Sequence, residues 1–162
     1  MLSERLNNAL NVQINKEFYS AYLYLSIAHF FNEHGLSGFG HWCKKQANEE
    51  IEHGIMIFNF LTELNGKIEF NQINSPTHVF KSPIESFKEI LNHERYITES
   101  LKSVTIIANE ENAFTTKCFL EKMLEEQIEE EATTYNIYSK LKLFGESKSA
   151  LYHIDRELHS RQ

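Results

Sequence analysis

The sequence predicts an all-α protein, a four-helix bundle with a long crossover between the second and third helices and a short fifth helix at the C-terminal end. Three observations predict it. Two prolines and six glycines in 162 residues are too few to punctuate many short strands, while Leu, Glu, Lys, Ile and Asn are abundant, which favours long helices. Apolar residues recur at alternating three- and four-residue steps along four long stretches. Both prolines fall in one segment that lacks this period, "GKIEFNQINSPTHVFKSP" at 66–83. A chain near 150 residues buries roughly two thirds of its unfolded surface, so one domain spanning 1–162 is expected.

Ser3 is placed as the N-cap of a first helix that runs to about Asn32, where "EHGLSG" supplies glycines that end it. The second helix runs from about Ser37 to Leu64 and stops at Asn65 and Gly66. A short turn separates the two, which makes them antiparallel neighbours. The third helix begins after Pro83 and reaches about Ala108, "NEENAF" forms a turn, and the fourth continues to Phe144 and closes at Gly145. The segment at 147–160 is a shorter amphipathic helix, too short to be stable alone. Its Leu151, Ile154 and Leu158 are expected to pack among neighbouring subunits. Helices of some 27 residues are about 40 Å long, and a connection of about 18 residues reaches up to roughly 60 Å. The crossover can therefore travel the whole bundle and start the third helix parallel to the second.

Charge and hydropathy narrow the function. A formal charge of −7 argues against nucleic acid, which needs a basic surface to replace counterions, and favours cationic partners. No run approaches about 18 consecutive apolar residues, so no membrane partner is expected. "MLSERLNNALNVQ" lacks the apolar core of a signal peptide, and a cytoplasmic location follows as an expectation. Cys43 and Cys118 form neither a C-x-x-C pair nor a cluster with histidine. They are expected to be reduced, partly buried thiols without a special role.

The inward stripes of the helices carry the chemistry. Polar residues interrupt each one: Gln13, Glu17 and Ser20 on the first, Gln46, Glu50 and His53 on the second, Glu94 on the third, Gln127, Glu130 and Thr134 on the fourth. No stripe carries lysine or arginine. Counted from the turn near residue 35, Glu17 lies about 18 residues before, and Glu50 and His53 about 15 to 18 after. From the turn near 112 the same counts place Glu94 level with Gln127 and Glu130. In antiparallel helices equal counts mean equal heights, so these six side chains are predicted to meet in one layer near mid-bundle.

A single inward glutamate or histidine is usually a hydrogen-bonded core residue, and an acidic run is usually a solvated helix face. Here four carboxylates converge with no cationic side chain on the seams, and burying even one unpaired charge costs several kcal/mol. Either they hold protons or cations from outside occupy the layer. Ionised Glu17, Glu50, Glu94 and Glu130 with neutral His53 give about −4, which two divalent ions balance. Glu50 and His53 form an E-x-x-H that places both on one helix face, and oxygen ligands with one imidazole suit Fe(II), Mn or Zn better than Mg or Ca.

"NKEFYSAYLY", "ANEEIEHG", "NHERYITES" and "LEEQIEEEA", together with the crossover and the fifth helix, resemble the ferritin-like superfamily, and within it the bacterial non-haem ferritins, over nearly the whole length. The resemblance implies a ferroxidase centre with one iron on Glu17, Glu50 and His53 and a second on Glu50, Glu94 and Glu130, bridged by Glu50. Gln127 would sit beside the oxygen-binding side as a hydrogen-bonding residue or weak ligand. Tyr24 would be a hydrogen-bond and electron donor beside the centre, the alternative being an aromatic core residue with its hydroxyl paired. A third iron site toward the cavity would use Glu49, Glu126, Glu129 and Glu130, while Glu125 and Glu131 would be solvated surface charges. Fe(II) would be oxidised by dioxygen or hydrogen peroxide and stored as a ferric mineral inside a homo-oligomeric 24-subunit cage.

Departures from relatives narrow this further. Bacterioferritins repeat E-x-x-H on the fourth helix, where this chain has Gln127 and Glu130, and they use a methionine for haem where this chain has Ile51; no haem is expected. Two scattered cysteines cannot supply the rubredoxin segment of rubrerythrins. Animal ferritins line their three-fold channels with acids where this chain has Lys117 and Leu120, so the iron entry route does not carry over. Two other functions fit the stripes: a di-metal oxidase or peroxide scavenger without a large mineral, and a metal-free structural bundle.

Overall fold

The computed structural model describes residues 2–160; of the expected domain span 1–162, Met1, Arg161 and Gln162 lie outside the described residues. Five helices follow in order: α1 (Glu4–Glu33), α2 (Ser37–Glu63), α3 (Pro83–Glu110), α4 (Phe114–Phe144) and α5 (Lys148–His159). Among the described residues there is no strand. The helix ends follow from local chemistry. Ser3 Oγ accepts from Leu6 N at 3.0 Å, and Ser82 Oγ accepts from Glu85 N at 3.2 Å with Pro83 just inside the helix. After α2 and α3 the chain turns through left-handed Asn65 (φ 54°) and Asn112 (φ 55°), conformations that asparagine tolerates.

α1 packs along α2 and α3 along α4, the two hairpins meeting through α1 and α3. The crossover lies against α1, held by a rail of asparagines four residues apart. Asn7 and Asn11 each donate to Lys67 O, at 2.9 and 2.8 Å, and accept in return from Lys67 N and Glu69 N, both at 2.8 Å. Asn15 donates to the carbonyls of Asn71 and Gln72 at 3.2 Å, and Ser26 Oγ donates to Thr77 O at 2.6 Å. A loop without its own ladder thus has backbone groups of Lys67, Glu69, Asn71, Gln72 and Thr77 satisfied by side chains of one helix.

α5 corrects an expectation. Ile154 and Leu158, expected to pack among neighbouring subunits, are buried in the chain's own core with Trp42 and Leu141, while Leu151 stays half-buried against it. Asp155 Oδ1 also accepts from Gly38 N at 2.8 Å and Phe39 N at 3.0 Å. α2 has no side-chain cap of its own, and α5 supplies it. Cys43 is fully buried and Cys118 exposed, where both were expected to be partly buried.

Buried apolar side chains form two clusters. One, around Tyr24, Phe31, Phe39, Trp42 and Phe87, fills the end nearest α5. The other, around Leu6, Leu10, Ile57, Leu61, Leu101 and Leu120, fills the opposite end. Between them along each helix stand the buried polar residues Gln13, Glu17, Ser20, Gln46, Glu50, Glu94 and Gln127.

Candidate metal centre

Each of the four long helices sends a glutamate into this layer. Glu17, Glu50 and Glu94 are no more than 2% exposed, and Glu130 is half-buried at the layer's edge. Two groups of side chains can each bring one ligand atom apiece within 4.8 Å of one another: Glu17, Glu50 and His53, and Glu50, Glu94 and Glu130. Glu50 belongs to both. Ligands on opposite sides of one ion stand about 4.2 Å apart with bonds of about 2.1 Å, so each group has a spacing near that which a single cation requires.

Neutral donors hold the outer oxygens. Gln13 Nε2 donates to Glu17 Oε1 at 2.7 Å, Gln46 Nε2 to Glu130 Oε2 at 2.5 Å, and Gln127 Nε2 to Glu94 Oε2 at 2.5 Å. Tyr24 Oη, in a ring 1% exposed, donates to Glu94 Oε1 at 2.5 Å. His53 stands between two carboxylates, with Nδ1 3.5 Å from Glu50 and Nε2 3.4 Å from Glu126. Glu17 Oε2 is buried and receives no amide or hydroxyl donor, and the Glu50 carboxyl stands within hydrogen-bonding reach of Glu17. A carboxylate oxygen without such a donor, in a layer of oxygen donors with one imidazole, is the chemistry of a site for a divalent first-row cation.

The electrostatics agree. Burial pushes the Glu50 carboxyl well above the usual range, reinforced by Glu94, Glu17 and Glu130. Burial lifts Glu94 to about 7 against the opposing hydrogen bonds of Tyr24 and Gln127. It also lifts Glu130 to about 7, with the charge of Glu94 adding to the rise. Glu17 is raised by burial, opposed chiefly by its bond from Gln13. Burial and the surrounding carboxylates hold the Tyr24 hydroxyl well above its ordinary value, so it remains a donor. Near neutral pH the metal-free layer retains protons that a bound cation displaces.

Next to the layer a cavity of about 300 Å³ is lined by Gln46, Glu49, His53, Glu126, Glu129, Glu130 and Thr133. It gathers the four residues expected at a third site and shares Glu130 with the buried layer. Glu125 is exposed as expected. Glu131 is not a solvated charge: it is half-buried and accepts from Thr98 Oγ1 at 2.5 Å. Gln13 and Gln46 emerge as hydrogen-bond donors to the layer's carboxylates Glu17 and Glu130. Their stripe positions, four residues before Glu17 and Glu50, were the signal in the sequence.

Known proteins resemble this chain in sequence and fold. The family model described as a ferritin-like domain matches residues 7–144. A bacterial non-heme ferritin of Bacteroides fragilis (strain 638R) is 35% identical over 99% of this chain and 100% of its own length. One of Staphylococcus aureus (strain MRSA252) is 34% identical over 99% and 97%. Among solved structures, an open pore ferritin from the hyperthermophilic archaeon Archaeoglobus fulgidus superposes with a TM-score of 0.98 at 40% identity, covering 100% of both chains. With a family match over most of its length and relatives that align end to end, the chain belongs to the ferritin family.

Proposed function

We propose that this protein stores and detoxifies iron in the cytoplasm, oxidising Fe(II) at a paired site bridged by Glu50 and keeping Fe(III) as a mineral inside a shell of 24 copies of the whole chain. The observation that carries the proposal is the pair of ligand groups sharing Glu50 in a polar layer closed above and below by apolar side chains. The layer binds the metal as substrate. Glu17 and His53 take one Fe(II), Glu94 and Glu130 the other, and Glu50 both. Binding expels the protons that burial holds on the carboxyls. Two Fe(II) then give one electron each, and dioxygen with two protons leaves as hydrogen peroxide; with peroxide as oxidant, the same two electrons and two protons yield two waters.

Tyr24 and Gln127 orient Glu94 through their hydrogen bonds and stand where an electron or an oxygen species would pass. Glu130, shared with the acidic cavity of Glu49, Glu126 and Glu129, gives the oxidised metal a stepping place out of the layer. Iron that leaves after each turnover is storage chemistry, whereas a resident cofactor would be held.

The test is stopped-flow mixing of the aerobic metal-free protein with two Fe(II) per chain, followed by particle mass. Rapid oxidation, mineral growth on further additions and a mass of 24 chains are expected. Oxidation without mineral growth, or a monomeric or dimeric particle, would replace storage with a di-metal oxidase or peroxide scavenger.

A further inference from the structure

A line of donors runs from the side of α1 into the layer. Lys16 Nζ donates to Ser100 Oγ at 2.7 Å, Ser100 Oγ donates to Gln13 Oε1 at 2.5 Å, and Gln13 Nε2 donates to Glu17 Oε1 at 2.7 Å. Burial deepens along it: Lys16 is half-buried, its ammonium 4.8 Å from the Tyr96 ring centroid, while Ser100 and Gln13 are buried. The line ties α1 to α3 and ends on the carboxylate whose second oxygen, Oε2, receives no amide or hydroxyl donor.

The direction of the line follows from its outer end. An ammonium can only donate, so Ser100 must accept from Lys16 and give its own proton onward. Gln13 must then offer its carbonyl oxygen to Ser100 and its NH₂ to Glu17. Aligned in this way, each bond polarises the next, from cation to carboxylate. Without Lys16 the serine hydroxyl is free to turn away from Gln13, whose amide loses the donor that pins its oxygen and can swing off Glu17.

We propose that Lys16, Ser100 and Gln13 are positioning residues for a divalent cation at Glu17, Glu50 and His53, with the lysine fixing the sense of a hydrogen-bond line that leaves Glu17 Oε2 as the free ligand atom. This rests on the metal-binding reading above. Its consequence is asymmetry: the ion on Glu17 depends on Lys16, and the ion on Glu94 and Glu130, held by Tyr24, Gln127 and Gln46, does not.

The experiment is anaerobic titration of the full-length metal-free protein with Co(II), followed by calorimetry and by the visible spectrum of the bound ion. The unmodified protein is expected to bind two ions per chain in two steps, and the step lost in His53→Ala identifies the Glu17 site. Lys16→Met should weaken that step by about tenfold or more, the usual effect of removing a partner that orients a ligand, and leave the other step unchanged. Lys16→Arg, which also only donates, should restore it. Ser100→Ala should weaken the same step and Ser100→Thr preserve it. Lys16→Met combined with Gln13→Leu should lose no more than the larger single loss, because both act along one line. Wild-type binding of both ions by Lys16→Met, equal weakening of both steps, or additive losses in the double variant would overturn the proposal. An unmodified protein that binds no pair of ions would overturn the proposed function itself.

Discussion

Replacing Glu94 by glutamine should make the metal-free protein more stable at pH 8 while weakening its hold on metal. The Glu94 carboxyl is lifted from 4.5 to about 7, chiefly by burial. The folded state therefore keeps this proton to a higher pH than the unfolded chain does. The associated stability is fully present below about pH 4.5 and is lost as pH rises through about 7. Each tenfold change in proton affinity is worth about 1.4 kcal/mol, so the ionised carboxylate costs about 3 kcal/mol at pH 8. Glutamine removes that cost and keeps an oxygen for Tyr24. Gln127 must then turn its own oxygen toward the new amide and give up its 3.2 Å bond to Glu94 O, which takes back about 1 kcal/mol. The net gain is about 2 kcal/mol at pH 8, a rise in melting temperature on the order of 5 °C for a chain of this size. At pH 5 the variant should be level with the unmodified protein or slightly below it. Circular dichroism melts with chelator at both pH values give the comparison, and Zn(II) at pH 8 should stabilise the unmodified protein more than the variant. A variant that is less stable at pH 8, or a gap independent of pH, would refute an uncompensated carboxylate layer.

Other perturbations separate neighbouring parts of the molecule. Glu129→Ala should leave binding of the first two irons intact and change the oxygen consumed per iron, measured with an oxygen electrode; unchanged stoichiometry would remove Glu129 from the path of the metal. Asp155→Ala should cost about 1–2 kcal/mol, the worth of a helix cap, and speed amide exchange at Gly38 and Phe39; unchanged protection there would show that α5 does not secure α2. Gln127→Glu with Glu130→His rebuilds a second E-x-x-H and should retain iron after aerobic loading and desalting, with a slower response to a second addition. Equal retention by the unmodified protein would contradict transit through Glu130.

The fold was legible because its signals are local. The helical period, Ser3, Pro83 and the Asn65–Gly66 turn place four long helices within a few residues of their ends. The layer was legible because a glutamate on an apolar stripe carries a burial cost that only protons or a cation can offset, and residue counts from two turns fixed its height. What stayed hidden depends on partners far along the chain. Asn7, Asn11 and Asn15 have the spacing of any solvated helix face until the crossover lies on them. Asp155 reads as an ordinary surface acid of a short helix, although its oxygen caps α2 more than a hundred positions earlier. Glu131 sits in an acidic run where Glu125, Glu126 and Glu129 are exposed, and only the α3 to α4 packing brings Thr98 to it. Lys16 is off the stripe, yet a line of hydrogen bonds runs from it through Ser100 and Gln13 to Glu17.

The paired site is tested most directly by anomalous diffraction from crystals loaded with Fe(II) under anaerobic conditions. Two iron peaks about 3.5–4 Å apart, with Glu50 between them, Glu17 and His53 on one and Glu94 and Glu130 on the other, are expected. A single ion, or iron confined to the cavity of Glu49, Glu126 and Glu129 with the layer empty, would contradict it.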